Sequence, residues 1–265
     1  MDLFSTAHYK ITKPIRLIEL FAGYGSQAMA LRRIGAEFEH WFVCEFDQYA
    51  VRSYNAVHGT DFKPVDIKNV HASDLWIEDR DKYEYMLTYS FPCTDLSVAG
   101  KMLGMHKGDN TRSGLLWEVE RILSECGKNL PQVLFMENVP QVVAEQNKED
   151  FMQWVTFLNK KGYSSELKIL NAKDYGVPQN RERCFMFSFL GDYTYDFPKP
   201  VPLTRVMRDC LEENVDEKYY INSEKANKLI ADLVARGVLP EQRTKNKEQR
   251  TKNKEQRTKN NRPVP

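Results

Sequence analysis

The feature that most constrains the fold is an alternation of short apolar runs with stretches of helical periodicity. The first run, Ile15–Phe21 (IRLIELF), ends in a glycine turn, and the pattern of Ser26–Ile34 after it indicates a helix. Strands separated by helices form βαβ units. We therefore expect an α/β fold, a doubly wound and mainly parallel sheet covered on both faces, with ligands at the carboxyl ends of its strands. Further strands are expected at 39–45, 85–90, 132–136, 165–170 and 184–190, and further helices at 47–57, 115–126, 151–161 and 224–235.

The end of the chain has a different composition. After Pro240 the heptapeptide EQRTKNK occurs three times, the last time as EQRTKNN. A seven-residue period is typical of coiled coils, but this repeat has no apolar residue to form a seam. We therefore predict a disordered basic tail. The predicted regions are an α/β domain at 1–211, a helical extension at 212–240 that begins a truncated second region, and the tail at 241–265.

Composition excludes several classes of protein. No apolar run is long enough to span a membrane, and the N-terminal segment MDLFSTAHYK has no secretory pattern. The odd number of cysteines, at irregular spacings, predicts a reduced, cytoplasmic protein with free thiols. No Cys or His pair has the spacing of zinc ligands, so we expect no metal. The five cysteines are Cys44, Cys93, Cys126, Cys184 and Cys210.

The glycine turn after the first strand has the sequence Phe21-Ala22-Gly23-Tyr24-Gly25-Ser26. Two glycines allow a tight turn and a close approach of the backbone to a ligand. The turn suits a dinucleotide or S-adenosylmethionine, although the third glycine of the dinucleotide pattern is replaced by Ala28. Taken alone, an ordinary tight turn between a strand and a helix explains it nearly as well.

Two acidic positions follow the next elements of the pattern. Glu45 ends the second expected strand, where a carboxylate can accept both ribose hydroxyls of an adenosine ligand. The simpler interpretation is a surface charge, but the position in phase with the glycine turn favours the ligand role. Asp66 and Ile67 follow the second expected helix, where they could hold an adenine amino group and one face of the ring.

The third expected strand ends in Ser90-Phe91-Pro92-Cys93. A lone cysteine is usually an inert buried residue, and we apply that interpretation to the other four. Cys93 differs because its loop lies on the ligand side of the sheet. The stretch that follows, up to Arg112, is rich in glycine and polar residues and is typical of a mobile lid.

Charged residues also follow the last two strands of the pattern. Glu137 lies at the carboxyl end of one strand, and Arg181 and Arg183 lead into the final strand. Residues at alternate positions of an extended segment point the same way. Without the other motifs, a surface salt bridge and a solvated strand end would be the simpler interpretations.

Together these motifs resemble one family, the cytosine-5 DNA methyltransferases, from about Ile15 to about Leu211. FAGYGS, the Glu after the second strand, Asp-Ile, Pro-Cys, Glu-Asn-Val and Gln-Asn-Arg-Glu-Arg stand in the family order. The sequence departs from the family at Ser26, where a second glycine is usual, and at Thr94 and Leu96-Ser97 after Pro-Cys. None of these changes removes a chemical group that the reaction requires.

The resemblance implies a Rossmann-like methyltransferase fold, S-adenosylmethionine as cofactor and double-stranded DNA as substrate. It implies Cys93, Glu137, Arg181 and Arg183 as the catalytic set. The residues implied for the cofactor pocket are Phe21, Gly23, Gly25, Glu45, Asp66, Ile67, Pro92 and Leu115.

The implied chemistry begins with a thiolate of Cys93 that adds to carbon 6 of cytosine, so that carbon 5 becomes nucleophilic. Glu137 would share a proton with ring nitrogen 3, and Arg183, with Arg181 less clearly, would hold the carbonyl oxygen. The base that removes the carbon-5 proton is not assigned, and water is a candidate. Because carbon 5 is inaccessible in a duplex, the cytosine must be flipped out.

The expected resemblance ends before a target-recognition region or a closing C-terminal motif. Residues 241–265 carry nine basic and three acidic residues, which leaves the other 240 with 29 basic and 34 acidic residues, an unexpected balance for a DNA-binding protein. One subunit of a split enzyme, completed by a second polypeptide, or a truncated product would explain this. A non-catalytic relative and an RNA-directed relative stay open, whereas a nicotinamide dehydrogenase explains only the glycine turn.

Overall fold

The computed structural model describes residues 7–93, 96, 104–108, 111–212, 215–221 and 223–239. The predicted disordered tail and most of the predicted lid after Cys93 lie outside these residues. By their contacts the chain divides into two compact units, residues 1–207 and 208–265.

The first unit is built on a six-stranded sheet with the order β3-β2-β4-β5-β7-β6. Strands β2 to β5 are parallel, and β7 runs antiparallel to both β5 and β6. A doubly wound and mainly parallel sheet is therefore confirmed. The strands are β1 (Ala7–His8), β2 (Ile15–Leu20), β3 (Phe38–Cys44), β4 (Glu84–Tyr89), β5 (Val133–Asn138), β6 (Tyr163–Asn171), β7 (Glu182–Leu190) and β8 (Tyr193–Thr194), with β1 and β8 paired in a separate parallel ribbon.

Alternation along β2 places helices on both faces of the sheet. Ile15 and Leu17 pack in a buried cluster with Leu31 of the first helix, whereas Ile18 and Leu20 belong to the main core with the third and fourth helices. The sheet is thus covered on both sides, as the apolar strands require. The helices of this unit are α1 (Ser26–Arg33), α2 (Gln48–His58), α3 (Leu116–Glu125) and α4 (Lys148–Lys160).

The helices α2 and α4 begin at a polar capping residue and at a polar first turn, respectively, which the periodicity of apolar residues does not reveal. Asp47 caps α2 by accepting hydrogen bonds from the backbone N–H groups of Tyr49 (2.7 Å) and Ala50 (3.2 Å). The helix α4 begins three residues before the predicted start at 151, because its first turn is polar and includes Glu149 and Asp150. Acidic residues in a first turn are stabilised by the helix dipole.

In the second unit, the described residues include the α-helix α5 (Glu224–Ala235), at the predicted position. Ser223 caps it, since the Ser223 hydroxyl accepts a hydrogen bond of 3.2 Å from the Ala226 N–H. Leu229 and Ile230 on this helix are exposed. Among the described residues of the whole chain, no helix is long and apolar enough to cross a membrane.

Candidate cofactor and catalytic site

The strand order reverses between β2 and β4, because the chain leaves β2 for β3 on one side and returns to β4 on the other. Ligands of open α/β sheets bind at such a switch point, outside the carboxyl ends of the strands. The glycine turn follows β2 and the Pro-Cys segment follows β4, so both predicted motifs flank this position. The fold therefore brings together two motifs that are far apart in sequence.

The glycine turn depends on positive φ angles at Gly23 (56°) and Gly25 (82°). A Cβ atom on Gly25 would lie 2.3 Å from Nε2 of His58 and 2.6 Å from the ring of Tyr54, whereas one on Gly23 would meet no atom within 4 Å. Gly25 therefore packs against α2, and Gly23 faces open space. Phe21 is half-buried at the start of the turn and also has a positive φ of 59°.

Glu45 braces the glycine turn from the end of β3. Its Oε2 accepts a hydrogen bond of 2.9 Å from the Gly23 N–H, and its Oε1 accepts one of 2.9 Å from the Asp47 N–H. Each carboxylate oxygen has a second lone pair, so Glu45 retains the capacity to accept ribose hydroxyls. The side chain thus combines support of the turn with its predicted ligand role.

The Asp66-Ile67 pair lies beside Glu45, because the Val65 N–H donates a hydrogen bond of 2.8 Å to the Glu45 carbonyl. Asp66 is exposed, and its Oδ1 accepts a hydrogen bond of 3.0 Å from the Lys68 N–H. Ile67 is buried in the main core. Ile67 lies next to Asp66, where the adenine ring is predicted to bind, but most of its side chain packs against the main core.

Phe46 is a residue of this region that the sequence analysis missed. It follows Glu45 directly, and 70% of it is exposed. An exposed phenyl ring next to the carboxylate predicted to bind adenosine has a flat apolar face on which an adenine ring could stack. An aromatic residue directly after the acid at a strand end was the available signal.

The segment that carries Cys93 is held by two buried side chains from other elements. The Asn138 amide donates a hydrogen bond of 3.0 Å to the Phe91 carbonyl, and the Ser113 hydroxyl donates one of 2.9 Å to the Pro92 carbonyl. Cys93 itself is half-buried and contacts the main core. Two consecutive carbonyl groups before the predicted nucleophile are therefore fixed in place. The sequence contained no local signal for Ser113.

Pro92 and Leu115, both predicted to line the cofactor pocket, are half-buried near this segment. Leu115 ends the 3₁₀ turn Ser113–Leu115, which begins with the serine that binds Pro92. Leu115 also packs against the main core. One short turn therefore links both predicted residues to the Cys93 segment.

Glu137 and Arg183 form an ion pair across the antiparallel strands β5 and β7. The Nε atom of Arg183 lies 3.0 Å from Oε1 of Glu137, and the two side chains are 22% and 24% exposed. Glu137 precedes Asn138, which binds the Cys93 segment. The ion pair and the predicted nucleophile, Cys93, are therefore linked through the end of β5.

Arg181 does not join this pair. It lies just before β7 and is exposed, and its backbone N–H donates a hydrogen bond of 3.1 Å to Oδ1 of Asn171. Among the described residues the Arg181 side chain has no ion pair. The structure thus brings only one of the two predicted arginines to Glu137.

The other cysteines differ from Cys93 in their surroundings. Burial raises the thiol pKa of Cys44 and Cys184 to about 12 and that of Cys126 to about 11, so all three stay protonated. The interpretation of an inert buried residue was wrong for Cys210, which is exposed in the 3₁₀ turn Met207–Cys210. Apolar periodicity did not indicate this exposure.

One cavity lies away from this site. It has a volume of about 480 Å³, lies between α3 and α4, and contains none of the predicted site residues. Among the same residues, no group of three or more His, Cys, Asp or Glu side chains is arranged to hold a metal ion.

Comparison with known sequences identifies the family. A sequence model of C-5 cytosine-specific DNA methylases matches residues 15–264, which extends beyond Leu211, where the expected resemblance ends. Type II methyltransferase M2.ScrFI of Lactococcus lactis subsp. cremoris is 33% identical over 257 residues, covering 79% of this chain and 71% of the relative. Orphan methyltransferase M.SssI of Spiroplasma monobiae is 32% identical, covering 80% and 68%. Type II methyltransferase M.HhaI of Haemophilus parahaemolyticus is 36% identical, covering 74% and 57%.

Solved structures support the fold. The crystal structure of S. pombe Dnmt2 methyltransferase matches with a TM-score of 0.62 at 23% identity, covering 82% of this chain and 65% of that chain. The Entamoeba histolytica methyltransferase EhMeth matches with a TM-score of 0.62 at 21% identity, covering 80% and 64%. This chain spans about 57–71% of the lengths of the three sequence relatives. The predicted methyltransferase fold and enzyme class are confirmed, and the chain belongs to the family of C-5 cytosine-specific DNA methylases.

Proposed function

We propose that this chain transfers a methyl group from S-adenosylmethionine to carbon 5 of cytosine in double-stranded DNA, through a covalent adduct of Cys93 with a flipped base. The biological setting proposed is a restriction-modification or phage system. The observation that carries the proposal is the joined strand end, where Asn138 holds the Cys93 segment and Glu137 pairs with Arg183 at 3.0 Å. This arrangement supports the proposal because it holds a thiol and two charged side chains near one strand end, where one small planar substrate could contact all three.

The glycine turn and the end of β3 fit S-adenosylmethionine. Gly23 faces open space, Glu45 has free lone pairs, and the Phe46 ring is exposed beside them. Glu45 would accept the ribose hydroxyls, Phe46 would stack on adenine, and Asp66 would accept from the adenine amino group. When bound, this cofactor supplies a methyl group on a sulfonium, which is activated toward a carbon nucleophile.

Cys93 would act on the base by adding its thiolate to carbon 6, so that the sulfur–carbon bond forms as the carbon 5–carbon 6 double bond opens and electron density at carbon 5 increases. After carbon 5 takes the methyl group, its proton would leave to a base that is not assigned, and the sulfur–carbon bond would break to restore the double bond and the thiolate. Glu137 would share a proton with ring nitrogen 3 and so relieve the developing negative charge. Arg183 would keep the Glu137 carboxylate in position and direct positive charge toward the carbonyl oxygen of the base. Arg181 would position groups that neighbour the target base rather than pair with Glu137, because it is exposed and does not reach Glu137.

Two alternatives are a relative that acts on RNA instead of DNA and a relative that has lost catalysis. An RNA-directed relative would have the same residues around Cys93, and a non-catalytic relative would keep the fold without turnover. A second polypeptide that supplies target recognition, and a cytoplasmic location, stay predictions. All except the location are tested by methyl transfer to duplex DNA and to RNA, with and without the product of the adjoining reading frame.

The test of the proposal is trapping of the adduct. In duplex DNA that contains 5-fluorocytosine, the fluorine cannot leave as a proton does, so the bond to Cys93 persists through denaturing electrophoresis. We expect a retarded, cofactor-dependent band for the wild type, none for Cys93→Ser, and an unchanged band for Cys210→Ser, the matched control with an exposed thiol. A band of equal intensity from Cys93→Ser would refute the assigned nucleophile.

A further inference from the structure

Glu19 is a buried acidic residue that the proposed chemistry does not use. It lies on β2, two residues before Phe21, and is 0% exposed. Burial raises its carboxyl pKa to about 7, although the Tyr54 hydroxyl and the Ala28 N–H partly oppose the shift. A buried carboxylate is costly, and the neighbouring inward positions of this strand are apolar. Its presence therefore needs a reason other than filling the core.

A chain of hydrogen bonds extends from Glu19 to two other elements. The buried Tyr54 hydroxyl, on α2, donates to Oε2 of Glu19. The Nδ1 atom of His40, on β3, lies 2.6 Å from the same hydroxyl. Because the hydroxyl proton goes to Glu19, His40 donates to the Tyr54 oxygen while Glu19 is ionised. Three elements of the fold are thus joined at one phenol group.

The same tyrosine ring and His58 lie directly beneath the glycine turn. The space that a Cβ atom of Gly25 would occupy is filled by these two rings. His58 Nε2 lies 3.0 Å from the Tyr24 carbonyl, and its Nδ1 lies 3.2 Å from a guanidinium nitrogen of Arg32. Since a guanidinium only donates, Nδ1 accepts and Nε2 donates to the turn. The rings of Tyr54 and His58 are 4.5 Å apart.

We propose that Glu19, Tyr54 and His58 form a polar support beneath the glycine turn and act as positioning residues for S-adenosylmethionine. Glu19 fixes Tyr54, Tyr54 fixes the ring of His58, and His58 holds the Tyr24 carbonyl, so that the N–H groups of the turn keep the orientation that the ligand meets. The inference rests on the proposed function in one respect, that the cofactor binds at this turn.

The surroundings of Glu19 determine how the support responds to pH. Among the described residues, the titratable groups in contact with Glu19 are Tyr54 from α2 and His40 from β3, whose Nδ1 lies 4.0 Å from Glu19 Oε2. His58 from α2 packs against the rings of both, and Arg32 from α1 contacts His58. The neighbouring strand β4 contributes the uncharged Thr88 at the paired position. When Glu19 is protonated, it no longer needs the Tyr54 proton, and the hydroxyl is free to donate to His40 instead. The support therefore changes its bonding with the ionisation of one carboxyl group.

The test compares two tyrosine variants that each lose one buried hydroxyl. Tyr54→Phe removes the link to Glu19, and the matched control Tyr163→Phe removes a hydroxyl that donates a hydrogen bond of 2.7 Å to the Pro131 carbonyl. By calorimetry with S-adenosylmethionine we expect Tyr54→Phe to bind roughly 3–10-fold more weakly, the effect of one lost hydrogen bond. Tyr163→Phe should bind as the wild type does, although both variants lose thermal stability. Equal affinities for Tyr54→Phe and the wild type, or an equal loss in both variants, would overturn the inference.

Two further measurements separate the support from general stability. Amide hydrogen exchange without ligand should be faster at residues 23–25 in Tyr54→Phe but not in Tyr163→Phe. In Glu19→Gln, the dependence of the cofactor Kd on pH between about 6 and 8 should be flatter than in the wild type, since the group whose pKa is about 7 is gone. If the wild type binds no S-adenosylmethionine, the proposed function fails, and exchange at residues 23–25 still decides whether the support exists. Unchanged exchange in Tyr54→Phe would refute it.

Discussion

The two loops that flank the switch point are positioned by different means. The glycine turn after β2 is shaped by positive φ angles at Gly23 and Gly25 and rests on the side chains beneath it. The Cys93 segment after β4 has carbonyl groups that are held by Ser113 and Asn138 from other elements. A loop that presents backbone N–H groups to a ligand needs unusual backbone angles, whereas a loop that presents one side chain needs only a fixed backbone.

The largest expected effect is a loss of methyl transfer without a loss of cofactor binding, which would separate the role of the Cys93 segment from that of the glycine turn. Cys93→Ser should reduce methyl transfer by about a thousandfold or more, because a hydroxyl is a far weaker nucleophile than a thiolate. Its Kd for S-adenosylmethionine should stay within about twofold of the wild type, since the backbone of Pro92 and of the glycine turn is unchanged. Transfer of labelled methyl groups and calorimetry measure the two quantities. Normal turnover would show that another residue attacks the base.

The next effect concerns the shape of the glycine turn. Gly25→Ala should lower the free energy of unfolding by about 2–4 kcal/mol, since a positive φ is strained for alanine and the new Cβ would overlap His58 and Tyr54. Gly59→Ala is the matched control, because Gly59 has a φ of 71° but open space around it, so it should lose only about 1 kcal/mol. Urea denaturation measures both. Equal losses would mean that packing on α2 contributes nothing.

A smaller effect tests the carboxylate that braces the turn. Glu45→Ala removes acceptors from the Gly23 and Asp47 N–H groups and from the proposed ribose hydroxyls. We expect S-adenosylmethionine to bind about 10–100-fold more weakly, as for the loss of hydrogen bonds to a charged group. Calorimetry measures the change, and Glu39→Ala, on the same strand, is the control. An unchanged affinity would remove Glu45 from the cofactor site.

A change in the Cys93 segment should mainly slow adduct formation, whereas a change in the glycine turn should mainly weaken cofactor binding. Ser113→Ala frees the Pro92 carbonyl, and we expect the rate of adduct formation with 5-fluorocytosine DNA to fall about 3–10-fold, with a smaller loss of cofactor affinity than Glu45→Ala shows. Ser188→Ala is the control, because its buried hydroxyl lies 2.8 Å from Ser165 on the β6–β7 pair. A loss of cofactor affinity without a change in adduct rate would reverse the assignment of Ser113.

The smallest expected effect is on the pH dependence of the free energy of unfolding, to which Glu19 and His40 contribute slopes of opposite sign. Burial raises the Glu19 pKa from 4.5 to about 7, so its contribution to stability is complete below 4.5 and is lost as pH rises through 7. Burial, with His58 and Arg32 nearby, lowers the His40 pKa from 6.5 to about 4, so its contribution is complete above 6.5 and is lost as pH falls through 4. In the pH range between these pKa values, rising pH therefore removes the stabilising contribution of Glu19 and restores that of His40.

Single substitutions should reveal the two slopes. With rising pH from about 5 to 7.5, the free energy of unfolding of Glu19→Gln should increase relative to the wild type, and that of His40→Asn should decrease. Urea denaturation at several pH values checks both signs. Slopes of the same sign would show that Glu19 and His40 do not titrate in the buried network as their surroundings require.

Most of the secondary structure could be predicted because its signals are local. Apolar runs located the six strands of the main sheet, and α5 was predicted with the observed bounds. The start of α4 was missed because a polar first turn has no apolar periodicity. In the candidate site, Cys93 and Glu45 were predicted from their position after strands, whereas the contact of Ser113 was missed because its partner, the Pro92 carbonyl, is 21 residues away.

The sequence by itself determined the family, the order of the strands and helices, and the loop that carries each predicted residue. Those properties depend on residue types at short spacings, which a linear chain states directly. Only the tertiary structure decided that Arg183 rather than Arg181 pairs with Glu137, and that Tyr54 reaches Glu19 across 35 residues of sequence. Such contacts depend on which strands become neighbours and on side-chain direction, and both are set by the packing of the whole sheet.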